Sequence, residues 1–222
     1  MTEASQQALT RLRDLSTLQW YAIPLLAIVI YVYATELKKA RASGNWDTVL
    51  AGLTLFGMDF VNETWNGWVL VLTGRSALWT APGPTALRTM VGWNIEIMFM
   101  FLLAGIIYHH TLSEEEDFPT WRRPMWRRPE AWLWAVGYSV FCVFVEVLLN
   151  KGGLLVWEYP FWNRTFGGIW LIFLIGYFHF FVAIILVLSL RALRQRWLAV
   201  AGIWAVAIAM NVIGMGVLGW RY

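Results

Sequence analysis

Asp59, Asn62, Glu63 and Asn66 recur at i, i+3, i+4 and i+7 within an otherwise apolar run, so a 3.6-residue helix gathers all four on one stripe. Ionisable groups at membrane depth are costly and normally face a bundle interior or a wet cavity, which makes this stripe the strongest pointer to function. Ser139, Cys142, Glu146 and Asn150, spaced by 3, 4 and 4 residues, form a second stripe. Trp93, Glu96 and Met100 share a third face, His179 stands in a later apolar run, and Trp204 and Asn211 share the last. One polar pocket built from these residues is the economical expectation. The plainer one is that they only bond neighbouring helices together.

Asp59 and Glu63, one turn apart in a low dielectric, cannot both ionise cheaply, so at least one is expected to hold a proton at neutral pH. A buried neutral acid beside aromatic faces can protonate an apolar substrate, and ring quadrupoles with a nearby carboxylate can hold the resulting cation. Alkenes are hard to protonate, so such a pocket must recover the difference by stabilising the cation in the transition state. The roles expected on this basis are Glu63 as acid, Asp59 tuning it, and Glu96 or Glu146 as counter-charge or base. Trp65, Trp93 and Trp170 would surround the cation, with Asn62, Asn66, Asn150, His179 and Asn211 as further substrate contacts.

The elements that must position these residues are transmembrane helices. The 222 residues are 59% hydrophobic and 14% charged, with mean hydropathy +0.55, where an ordinary soluble domain is about 25% charged. Apolar blocks at about 18–36, 48–72, 89–110, 131–149, 166–190 and 197–220 are long enough to cross roughly 30 Å of hydrocarbon. They predict an all-α, multi-pass bundle of about six helices forming a single domain over 1–222. The first 18 residues lack the basic start and small-residue cleavage site of a signal peptide, so none is expected to be removed. Ten of the 17 basic residues fall in the loops on one side and seven on the side of both termini, which places the termini outside the cytoplasm.

Sixteen Trp exceed what interfacial belts need. Trp20, Trp46, Trp79, Trp121, Trp126, Trp197 and Trp220 lie at block ends as belts predict. Trp65, Trp68, Trp93, Trp170 and Trp204 fall within helices, where ordinary packing and an aromatic-lined pocket are both open. A faint internal likeness links Phe60-Val61-Asn62-Glu63 with Val143-Phe144-Val145-Glu146, each followed by an Asn and a Gly.

Absences narrow the chemistry. Three His cannot build the His boxes of a membrane di-iron enzyme, and His109-His110 reads as an interfacial pair. No aspartate-rich pair offers Mg²⁺ for a diphosphate, no Lys in the last helix can carry retinal, and the lone Cys142 reads as a small core residue. The basic residues form no patch for nucleic acid. Gly214-x-Gly216-x-x-Gly219 matches a dinucleotide fingerprint only by letters, since no strand precedes it. No metal or cofactor is expected.

Asp59-Phe-Val-Asn-Glu63 with Gly67-Trp68-Val-Leu, Glu96 in the third helix, and Tyr159-Pro160-Phe161-Trp162 leading to Trp170 together resemble the emopamil-binding-protein (EXPERA) class of sterol isomerases and sterol-binding proteins. Glu63 beside Asn62 and Trp65 is also similar to the early-helix acid of integral-membrane terpene cyclases. Both resemblances imply protonation of an isoprenoid or sterol-like lipid, followed by isomerisation or cyclisation. A lipid-binding protein without chemistry and a proton-coupled carrier are the alternative expectations, with membrane lipids as the remaining partners.

Overall fold

In the computed structural model, residues 1–112 and 124–222 are described. The acidic run Glu114 to Asp117 and the first copy of the doubled Trp-Arg-Arg motif, with Trp121, lie outside the described residues.

A short α1 (Glu3–Thr10) precedes α2 (Ala22–Ser43), α3 (Asp47–Thr73), α4 (Ile95–Thr111) and α5 (Pro129–Lys151). Next, α6 (Phe166–Leu171) runs through a π-helical segment, Ile172–Phe178, into α7 (His179–Leu188), and α8 (Leu193–Asn211) continues as a second π segment, Val212–Val217. Among the described residues, four strands of two or three residues accompany them: β1 (Trp79–Thr80), β2 (Arg88–Met90), β3 (Trp93–Asn94) and β4 (Val156–Trp157). The all-α expectation thus omits two small ribbons, and both matter to the site.

Among the described residues, three helical stretches are long and apolar enough to cross a bilayer: Pro129–Lys151, Phe166–Leu188 and Leu193–Val217. Ile95–Thr111 is apolar but shorter. The α2 and α3 helices have 22 and 27 residues, but Glu36, Lys38, Lys39 and Arg41 interrupt the first and Asp47, Asp59 and Glu63 the second.

The bundle is apolar outside and turns its helix-borne polar groups inward, as a lipid solvent demands. On α5, Val140, Phe144 and Leu148 are exposed while Ser139 and Glu146 are buried. The centre is α3, where Leu50, Leu55, Leu70, Thr54, Thr64 and Asn66 are all fully buried. Small residues let neighbours close on it. Gly105 of α4 packs on Ala51 and Gly52, and Gly57 of α3 lies under the Trp204 ring of α8.

Two polar ends close the bundle. At one, Arg196 pairs with Asp47, Lys39 Nζ and His110 Nε2 lie 2.8 and 3.2 Å from Glu36, and Thr48 meets His109 Nδ1 at 3.0 Å. At the other, Gly74 ends α3 at φ 61°, a left-handed conformation that glycine adopts without strain. The chain then doubles back, and β1 pairs antiparallel with β4 (Trp79↔Trp157, Thr80↔Val156) while β2 pairs with β3.

These ribbons cap the helix ends. The buried Arg88 guanidinium donates to the carbonyls of Ala81, Gly83 and Ala8 at 2.9, 2.6 and 3.5 Å. The α1 helix joins the cap through Thr2 N–H to Arg75 O at 3.0 Å and Ser5 Oγ to Glu158 Oε2 at 3.1 Å. Arg13 donates to the Tyr222 carbonyl at 3.1 Å, so both chain ends meet here. The third helix therefore begins at Ile95 instead of near residue 89: residues 88–94 form the β2–β3 ribbon, and the Asn94 side chain caps the helix by accepting from Ile97 N–H at 2.9 Å.

Candidate functional site

Directly under the cap lies a cavity of about 330 Å³. Asp59, Asn62 and Glu63 reach it from α3, Glu96, Met100 and Phe101 from α4, Phe141, Cys142 and Glu146 from α5, and Tyr177 from the first π segment. Trp79, Leu154, Leu155 and Trp162 close it from the cap. All four acids expected at the site thus line one space. Among the described residues no Lys, Arg or His does.

The carboxyls are held by indoles. Trp79 Nε1 donates to Glu63 Oε1 at 2.8 Å, Trp93 Nε1 to Asp59 Oδ2 at 2.8 Å, and Trp157 Nε1 to Glu146 Oε1 at 2.7 Å. An indole N–H holds a buried acid without bringing a charge of its own. Glu63 Oε2 is buried and has no hydrogen-bond partner in the protein. Glu96 is fully engaged: Tyr21 Oη donates to Oε1 at 2.6 Å, Ala86 N–H to the same oxygen at 2.8 Å, and Thr85 Oγ1 to Oε2. Those three donors tie α4 to the start of α2 and to the cap, and Glu96, expected as counter-charge or base, lines the cavity with both oxygens engaged.

The other expected contacts divide. Asn62 lines the cavity. Asn66 does not, because both ends of its amide are spent on the returning chain: Nδ2 donates to Trp79 O at 2.7 Å, and Oδ1 accepts from Leu78 and Trp79 N–H at 2.8 and 3.2 Å. It thereby places Trp79 against Glu63. Trp93 stacks on Phe56 and Phe60 at 5.5 and 5.3 Å, behind Asp59.

Trp65 and Trp170 lie on the outer surface, 46% and 48% exposed, and are absent from the cavity wall. Asn150 donates to Leu155 O at 3.1 Å, and Asn211 ties α8 to α3 through Thr64 Oγ1 at 2.7 Å. His179 packs on Phe180 at 4.3 Å, outside the cavity.

Trp79 is not the interfacial residue its position at a block end suggests, since it is 6% exposed and holds the candidate acid. Trp157, Trp162 and Tyr177 were not expected at the site at all. The first two sit in a connection with no helical period, and Tyr177 lines the cavity from a π segment, where the 3.6-residue period does not hold. The one available signal was that connecting loops of a membrane protein carrying this many Trp exceed what a belt requires.

A helical bundle with lipid-facing apolar surfaces and enclosed carboxyls defines a membrane protein. The chain belongs to an uncharacterized membrane protein family, whose model matches residues 2–216. It is similar to an uncharacterized protein of Archaeoglobus fulgidus, 37% identical over 219 residues and covering 99% of both chains. No solved structure matches it. Membership in this family overturns the resemblance to the EXPERA class and to membrane terpene cyclases: the few shared letters reflect helix-borne acids and aromatics, which any polar pocket in a bundle needs.

Proposed function

We propose that the protein is a membrane enzyme that protonates an isoprenoid or sterol-like lipid and lets the resulting cation isomerise or cyclise. The supporting observation is Glu63, which lines the cavity with Oε1 held by Trp79 and Oε2 without a partner. In this reading the O–H bond of Glu63 breaks as the proton passes to the lipid. The cation is stabilised by the Asp59 and Glu146 carboxylates and by the faces of Trp79, Phe101 and Tyr177. A proton lost from a neighbouring carbon to Glu146 ends the reaction, and its return to Glu63 leaves a product isomeric with the substrate.

An apolar opening supports a lipid as the substrate. Met100, Phe141 and Leu154 line the cavity and are also 45%, 58% and 44% exposed on the outer surface. The accompanying topology is six crossings, by α2, α3, α4, α5, α6–α7 and α8, with both termini and the cap on the non-cytoplasmic side. The distribution of basic residues supports that orientation, and cysteine labelling from either side at Arg41 and Arg164 tests it.

A second reading, a lipid-binding protein without chemistry, is favoured by the indole contacts, since each buried carboxyl spends one oxygen on structure. Mass spectrometry of lipids extracted from wild type and Glu63→Gln, after expression with isoprenoid and sterol precursors, separates the two. An isomeric product with wild type and none with the variant is the expected result. The same unaltered lipid bound to both overturns catalysis in favour of binding.

A further inference from the structure

Trp162 is 2% exposed and lines the cavity, and its Nε1–H has no hydrogen-bond partner in the protein. It stacks on Trp79 with ring centroids 5.4 Å apart and planes at 27°. Trp79 in turn donates to Glu63 Oε1, leaving Oε2 as the second unpartnered atom of this corner. A buried indole N–H left without an acceptor is costly, so an orphan donor and an orphan carboxyl oxygen, on two residues that line one cavity, describe what a ligand must bring.

The charge of the walls restricts the ligand further. Four carboxyls and no cationic side chain line the cavity among the described residues. A phosphate, diphosphate or carboxylate head would be buried with no cationic partner. A pure hydrocarbon would leave the Trp162 N–H unmatched.

We infer that the site takes a neutral lipid bearing one oxygen, as an alcohol, epoxide or carbonyl, and that this oxygen accepts from Trp162 Nε1–H and from the protonated Glu63 carboxyl, where anionic lipids are rejected. This rests on the proposed function in that it uses Glu63 in its protonated form, and it names the atom Glu63 addresses: an oxygen, far more basic than an alkene carbon. Trp162 is then a binding and specificity residue, held in place by its stacking on Trp79.

Binding tests this without requiring turnover. Farnesol, farnesene and farnesyl phosphate are titrated into wild-type protein in nanodiscs and followed by intrinsic tryptophan fluorescence, and the bound lipid is recovered and analysed. Farnesol should bind about 10-fold or more tighter than farnesene, as expected for one well-placed hydrogen bond, with farnesyl phosphate weakest. Trp162→Phe, which keeps the stack but removes the N–H, should weaken farnesol about 10-fold and leave farnesene unchanged.

Equal affinity for farnesol and farnesene in the wild type overturns the inference even if that protein converts a hydrocarbon precursor, which would leave the proposed function standing. Selective binding of farnesol recovered unchanged supports the inference while counting against catalysis. Tighter binding of the phosphate overturns it outright. Since the wild-type series stands alone, a Trp162→Phe protein that fails to fold does not remove the test.

Discussion

Trp79 and Trp157 are Cα partners across the β1–β4 ribbon, and each returns its indole N–H to a glutamate on the helix that precedes it, Glu63 on α3 and Glu146 on α5. The surrounding residues follow the same plan. Asn66 and Asn150, a turn beyond each glutamate, both hydrogen-bond the backbone that leads into the strand. The short likeness between residues 60–63 and 143–146 therefore marks two copies of one device. In each, a helix-borne acid, an asparagine clamp and a tryptophan strand bring a neutral donor to a carboxyl, and the antiparallel ribbon sets the two copies side by side over the cavity.

If the Trp79 indole orients Glu63, Trp79→Phe should retain the stack on Trp162 and lower turnover about 10-fold, the equivalent of one lost hydrogen bond. Product formation per mole of protein, at unchanged thermal stability, is the measurement; wild-type turnover would show that Glu63 is positioned without it.

Asn66→Ala removes three hydrogen bonds to the returning chain, two of them fully buried. The expected loss is about 2–4 kcal/mol, seen as a lowered unfolding midpoint in detergent, and turnover falls with it because Trp79 loses its seat. A stability equal to wild type contradicts the clamp.

At Gly105 any side chain would run into the Ala51 backbone. Gly105→Val should force α3 and α4 apart and cost about 2 kcal/mol or more, giving a lowered melting temperature and less folded protein on size-exclusion chromatography. Gly216→Ala, where nothing lies within 4 Å of the added carbon, serves as the control.

Trp65 and Trp170 face outward. Replacing either with Leu, which suits a lipid-facing surface equally well, should leave turnover within about twofold of wild type, a change under 0.5 kcal/mol. A hundredfold loss from either would require a site other than the one beneath the cap.

Met100 lines the cavity and is also 45% exposed, which on the proposed reading puts it at the lipid entrance. Met100→Trp is expected to raise KM about 10-fold with kcat nearly unchanged, since it narrows the entrance without touching the acids. Kinetics against a water-soluble short-chain substrate should be less affected. An equal loss in both would place the lipid's entry elsewhere.

The sequence alone determined that this is a membrane-embedded bundle, because its composition leaves no soluble way to hide the apolar surface. It also determined that the acids of α3 and α5 share an interior, because a helical period is local and the cost of exposing a carboxyl to lipid acts on every copy of the stripe. What surrounds those acids was decided only by the tertiary structure. Trp79, Trp157 and Trp162 lie in connections whose path follows from backbone hydrogen bonds to Asn66 and Asn150 and from the buried Arg88, pairings between residues far apart in the chain that carry no period. For the same reason Trp65, two residues from Glu63, lies on the outer surface: adjacent positions on a helix point about 100° apart, and which of them meets the cavity depends on where the neighbouring helices pack.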